Sequence, residues 1–235
     1  MRGSSGVSES YCREAGDNEC RNHSPAATKD HTDTLRRNLP SRSLLVGHAS
    51  ANLPMTAQDF LAWDSHESLR HEFVRGDVFA MAGADERHVT VTGNVYVALR
   101  AHLHGTPCRT FITDMKLRVE AADCYFYPDV MVTCSSIDAA DPLIKREPVL
   151  VVEVLSPSTA AYDRGDKFAV YRLLPSLREL LLIDTDSHRC DLYRKGTDGL
   201  WVLHPFEPGQ AVQLQSVRMD LTVEALWDEV GPAAG

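Results

Sequence analysis

The sequence predicts an α/β (α+β) domain in which a mixed central sheet is flanked by helices and followed by a C-terminal β meander. Three observations carry that expectation. The run "PVLVVEVL" (148–155) is apolar with a single interruption, as a strand covered on both faces must be. From His88 to Leu103 apolar residues recur at three- and four-residue steps, the period of a helix. The order of elements, helix, strands, helix, strand and then more strands, suits a sheet with a helix on each side.

In chain order, "TAQDFLAWDS" (56–65) is a short helix capped by Thr56, with Phe60, Leu61 and Trp63 available for packing. "HEFVRGDVFAMAG" alternates about Arg75-Gly76-Asp77 and is a hairpin. Val91, Val95, Ala98, Leu99 and His102 form the inner face of the long helix, which Gly105 and Pro107 end. Three extended segments follow, "CRTFIT", "KLRVE" and "FYPDVMVT", and then the apolar run. A second helix begins between Thr159 and Asp166 and reaches about Leu174, with Gly165 near its start. "ELLLID" is another buried strand. "RCDLYR" and "LWVLHPF" make a β appendage after Asp184, closed by a short helix near "TVEALWDEV".

Composition narrows the partners and the setting. Residues 1–54 are polar, mixed in charge and without apolar periodicity, so they are expected to be a disordered tail or a non-native extension ahead of a domain spanning 55–235. That tail holds seven Lys and Arg against six Asp and Glu, while the body holds 17 against 27. An acidic body does not coat nucleic acid, so any DNA is bound weakly or through a local patch. The six cysteines contain no C-x-x-C pair and suggest small reduced thiols. With no apolar leader and no membrane-length run, the expectation is a cytoplasmic protein with no membrane partner.

The chemistry starts from Glu153. An ionised carboxylate inside so apolar a strand needs a partner, because burying it alone costs several kcal/mol. Alternation puts Glu153 on the side of Val151 and Leu155, near the strand's C-terminal end. Asp129 follows Pro128 at the entrance of the preceding strand, on the side of Met131; Pro128 donates no ladder bond and marks an edge, a bulge or a frayed end there. If the two strands are neighbours, Asp129 and Glu153 meet at one corner, and a cation relieves their repulsion. All-oxygen ligands suit Mg²⁺, with Mn²⁺ as the alternative. Lys167, with Asp163 and Tyr171 one helical turn to either side, is the third group, placed to position or deprotonate a water or to stabilise phosphoryl charge.

"YPDVMV", "VVEVLSPST", "DRGDKF" and Tyr171, in that order, resemble the Uma-type restriction endonuclease family of the PD-(D/E)XK nuclease superfamily. The likeness runs from about Met55 to Val230 and includes "EFVRGDVFAMAGADERH" and "GTPCRTFITDMKLRVEAADCYFYPDVMVT". It implies a restriction-endonuclease-like fold and a Mg²⁺-dependent endonuclease that hydrolyses phosphodiester bonds in DNA. It implies further that Asp129, Glu153 and the backbone carbonyl of Val154 hold the metal. Leu155 stands where the superfamily's lysine would be, and the resemblance gives that role to Lys167. Glu72 and His88 resemble accessory positions, with Tyr171 as a third. A homodimer fits an enzyme that cuts both strands.

Each assignment has a plainer counterpart. Asp129 suits a strand-entry carboxylate that accepts backbone N–H bonds, Glu153 suits a partner of an arginine, and Lys167 suits a solvated i,i+4 pair with Asp163. Asp114 and Lys116 either face the same cleft or make a turn and a solvated strand face. "DTDSHR" starts like an EF-hand loop but carries His188 and Arg189 where the loop needs an acid and a glycine. The rival function is a non-catalytic nuclease-fold binding or regulatory protein, linked to mobile elements; hydrolysis of RNA or another phosphodiester is a weaker alternative.

Overall fold

A computed structural model describes residues 55–81 and 83–232. The expected tail, with Cys12 and Cys20, lies outside the described residues.

Helix α1 (Ala57–Asp64) begins where the Thr56 hydroxyl accepts the Asp59 N–H at 3.1 Å. Its buried Phe60 stacks on Phe73 and Tyr125, with ring centroids 5.1 and 5.6 Å away. Phe73 lies on β1 (His71–Val74), which pairs with β2 (Asp77–Ala80). Arg75 and Gly76 both have positive φ, 50° and 97°, the backbone that a tight two-residue hairpin turn demands.

Helix α2 (Glu86–His102) starts after the Asp85 cap, two residues before the His88 at which the apolar period begins, and buries Val91, Val95 and Leu99. After it come β3 (Arg109–Ile112), β4 (Lys116–Val119), β5 (Cys124–Phe126) and β6 (Val130–Thr133). The expected single strand "FYPDVMVT" is therefore two. Tyr127-Pro128-Asp129 carries the chain from one sheet to another, and Pro128 can supply no ladder N–H there. Helix α3 (Ser136–Ala140) and β7 (Ile144–Lys145) are too short to have shown a period.

Strand β8 (Pro148–Leu155) is the apolar run. It lies between β6, antiparallel, and β9 (Glu179–Asp184), parallel, inside a six-stranded sheet of order β11-β10-β9-β8-β6-β3. The sheet β2-β1-β5-β4-β7 packs beside it. Leu150, Val152 and Val154 face the α2 side with Val91, Val95 and Leu99. Val151 and Leu155 face the other core, with Met131, Phe126, Phe168 and Tyr171. Each fully buried Val or Leu contributes about 1.5–3 kcal/mol. Glu153 thus points into the second core, as strand alternation requires.

The second helix is continuous through α4 (Ala160–Tyr162), a π-helical stretch (Asp163–Lys167) and α5 (Phe168–Tyr171). Strands β10 (Arg189–Lys195) and β11 (Trp201–Phe206) form the meander, and they extend the central sheet rather than hang from it. The hairpin of β12 (Val212–Leu214) and β13 (Met219–Leu221) precedes α6 (Val223–Leu226). Buried Glu179 anchors it by accepting the Ser216 and Gln215 N–H groups at 2.7 and 3.1 Å, beside Arg194 at 2.7 Å.

The cysteine expectation is corrected. Cys108 and Cys134 form a disulfide, while Cys124 and Cys190 are free and buried. The β3–β6 register ends at Arg109↔Thr133, so the next residue outward on each strand brings the two thiols together. A separation of 26 residues gives no sign of this in the sequence. Among the described residues no helix is long and apolar enough to cross a membrane.

Candidate active site

Five elements deliver the predicted residues, Tyr171 excepted, to one pocket of about 470 Å³. Glu153 comes from the end of β8, Asp129 from the β5–β6 crossing, Glu72 from β1, His88 from the first turn of α2, and Lys167 from the second helix; Thr113 and Ser156 also line it.

Lys167 is the hub. Its Nζ lies 2.9 Å from Glu72 Oε1, 3.0 Å from Glu153 Oε1 and 3.7 Å from Asp163 Oδ1, and 5.6 Å above the Phe126 ring. It is buried, so the solvated-pair alternative does not describe it. A π-helical stretch spans Asp163–Lys167 and Tyr171 ends the α-helical turn after it, so the three follow at four-residue steps, the spacing of neighbours on one helix face. From that face the Tyr171 hydroxyl donates to Glu153 Oε1 at 2.6 Å.

Asp129 and Glu153 brace each other's backbone. The Val154 N–H donates to Asp129 Oδ2 at 2.8 Å, and the Asp129 N–H approaches Glu153 Oε2 at 3.5 Å. Asp129 therefore does accept a backbone N–H, as its plainer counterpart foresaw, while also lining the pocket. His88 Nε2 lies 3.3 Å from Asp129 Oδ2, and the Val154 backbone bonds the same ring.

Charge in the pocket is unbalanced. Glu72, Asp129, Glu153 and Asp163 face Lys167 and His88. Burial pushes the Glu153 carboxyl up to about 8, held back by Lys167 and reinforced by Asp129. Glu72 is raised as well, by burial against the pull of Lys167. Burial alone would lower Lys167, but the charges of Glu153 and Glu72 outweigh it and hold the ammonium well above its usual value. His88 behaves alike: burial disfavours the imidazolium, and the Asp129 hydrogen bond and charge reverse the balance. Burial raises the Tyr171 phenol, as does the neighbouring Glu153.

A divalent cation fits this donor set. The surplus of buried carboxylate is what such an ion neutralises, and carboxylates with a backbone carbonyl are its usual ligands. Among the described residues no three His, Cys, Asp or Glu side chains already surround one point suited to a metal. Glu153 is turned toward Lys167 and Tyr171, so it would rotate to share an ion with Asp129.

Asp114 and Lys116 do not join the site. Asp114 pairs with Arg70 at the surface, at 3.2 Å. Lys116 bonds the buried Asp64 at 2.9 Å, in a cluster completed by the Tyr127 hydroxyl at 2.7 Å and His71 at 3.4 Å. Sequence reasoning missed that cluster, whose members are spread from 64 to 127, and missed the burial of Asp163. Gly165 inside "DRGDK" was the one local sign of an irregular helix.

Residues 57–225 match the Uma2 family, described as "Putative restriction endonuclease". Over 185 residues the chain is 33% identical to Uncharacterized protein slr1290 of Synechocystis sp., covering 78% of this chain and 97% of that one. Uncharacterized protein sll1609 of the same organism is 34% identical over 151 residues, 63% of this chain and 85% of that one. The crystal structure of a "putative nuclease belonging to DUF820" from Anabaena variabilis superposes with a TM-score of 0.62. It covers 75% of this chain and 99% of that one at 17% identity, a likeness of fold.

Proposed function

The chain belongs to the Uma2 restriction endonuclease family, and from that premise we propose that it is a metal-dependent endonuclease that hydrolyses phosphodiester bonds in DNA. The family description and the fold of the solved neighbour support a nuclease in general. The finer assignment rests on one observation: a lysine 14 residues beyond Glu153, on a different element, has its Nζ 3.0 Å from Glu153 Oε1 in the pocket that Asp129 also lines.

Asp129, Glu153 and the Val154 carbonyl would hold the ion, Mg²⁺ or Mn²⁺. When bound, such an ion supplies Lewis acidity to a phosphoryl oxygen and lowers the pKa of water. Lys167 serves as a cation that orients the attacking water and meets charge developing on the phosphoryl group. Glu72 and Tyr171 hold this constellation in place, Glu72 by bonding Lys167 and Tyr171 by bonding Glu153. The 3′ oxygen leaves. Cutting both strands takes two such pockets, which a homodimer would bring.

The test is nicking of supercoiled plasmid by the purified protein with Mg²⁺ or Mn²⁺, beside EDTA and a Glu153→Ala variant. Metal-dependent nicking that the variant lacks is the expected result. If wild type leaves the plasmid intact with either ion, or the variant nicks equally well, the assignment to DNA hydrolysis falls and a non-catalytic nuclease-fold protein takes its place.

A further inference from the structure

We propose that His88 is itself a ligand of the cation, so that the site takes a nitrogen-tolerant transition ion such as Mn²⁺ in preference to Mg²⁺. This rests on the metal-dependent reading above and deepens it by naming the class of ion.

Position is the first ground. The Asp85 side chain accepts the His88 N–H at 2.9 Å and fixes the first turn of α2, so the ring hangs from a capped helix start over the pocket. Its Nε2 lies 3.3 Å from Asp129 Oδ2, and the Val154 backbone bonds the same ring. Ligands at neighbouring corners of an octahedral ion with bonds of about 2.1 Å stand about 3 Å apart. The Nε2 to Oδ2 distance therefore already suits two members of one shell, with Val154 beside both.

Division of labour is the second ground. Lys167 serves the Glu72 and Glu153 carboxylates on one side of the pocket. Oδ2 of Asp129, on the other side, meets the Val154 N–H and His88. A cation beside Asp129 Oδ2 has the imidazole nitrogen within 3.3 Å of that ligand oxygen. Mg²⁺ takes oxygen ligands and gives up its waters reluctantly, whereas imidazole suits the later divalent ions.

A histidine that only donated a hydrogen bond to Asp129 would occupy much the same place, so the test must detect the metal–nitrogen bond. Wild type and His88→Ala are loaded with Mn²⁺, and nitrogen hyperfine coupling to the ion is read by pulsed electron paramagnetic resonance. Calorimetric titrations with Mn²⁺ and with Mg²⁺ run alongside. Alanine is a good helix former, and equal melting of the two proteins in EDTA checks the fold. Wild type is expected to show coupling to one imidazole nitrogen. The variant should lose that coupling and about tenfold or more of its Mn²⁺ affinity, with its Mg²⁺ affinity changed by less than about threefold. If Mn²⁺ binds wild type without nitrogen coupling, or the variant binds it unchanged, His88 is no ligand and the metal reading stands without it. If wild type binds neither ion, both fall together.

Discussion

Replacing Glu153 by glutamine should stabilise the metal-free fold while abolishing cleavage, and the stabilisation should grow with pH. Burial holds the carboxyl up to about 8, against an ordinary 4.5. Above 4.5 the unfolded chain releases this proton and the folded one keeps it, so the group's contribution to stability is whole below 4.5 and drains as pH rises toward 8. At about 1.4 kcal/mol per pH unit, roughly 3 kcal/mol is gone by pH 7. Glutamine does not titrate, and its Oε1 still accepts from Lys167 and Tyr171. Its amide NH₂ would face the Asp129 N–H, at 3.5 Å from the present Oε2, and two facing donors offset part of the gain. A net gain of about 2 kcal/mol at pH 7 raises Tm by roughly 4–8 °C in a domain of this size. At pH 4.5 the gain should vanish. Scanning calorimetry of both proteins in EDTA at pH 5 and pH 7.5 reads the difference. An equal Tm difference at the two pH values, or a variant that melts lower at pH 7.5, would refute the idea that burial withholds this proton.

Two further perturbations test the pocket and the scaffold. Lys167→Met leaves Glu72 and Glu153 buried without their cation, so urea titration should show a loss of about 3–5 kcal/mol at pH 8. The loss should be smaller at pH 5, where the Glu153 carboxyl, raised to about 8, holds its proton. Opening the Cys108–Cys134 disulfide, by reductant or by Cys108→Ser, frees a loop of 26-residue separation. That should cost about 3 kcal/mol, read as a drop in Tm that reductant no longer deepens in the variant.

Much of the fold was legible because its signals are local. Thr56 and the residues after it specify a capped helix, and a positive-φ pair at Arg75-Gly76 closes the hairpin. The run 148–155 announces a strand covered on both faces, and period-two alternation places Glu153 on the Val151 and Leu155 side. Asp129, Glu153 and Lys167 were singled out from the chain alone, because a charge in an apolar strand demands a partner.

The rest depends on which surfaces meet. Nothing around Glu72 foretells that it will reach Lys167 at 2.9 Å from another sheet, nor does anything near His88 foretell Asp129 at 3.3 Å. Tyr127-Pro128-Asp129 looks extended in sequence, yet it crosses between sheets because β5 pairs in one and β6 in the other, and the Cys108–Cys134 bridge follows from the β3–β6 register. Propensity, caps and periodicity act over one or two turns of chain, so they set each element and the face it buries. Distances between charges on different elements are set only when those faces pack, and it is packing that removed water from Glu153 and Lys167 and gave the pocket its electrostatics.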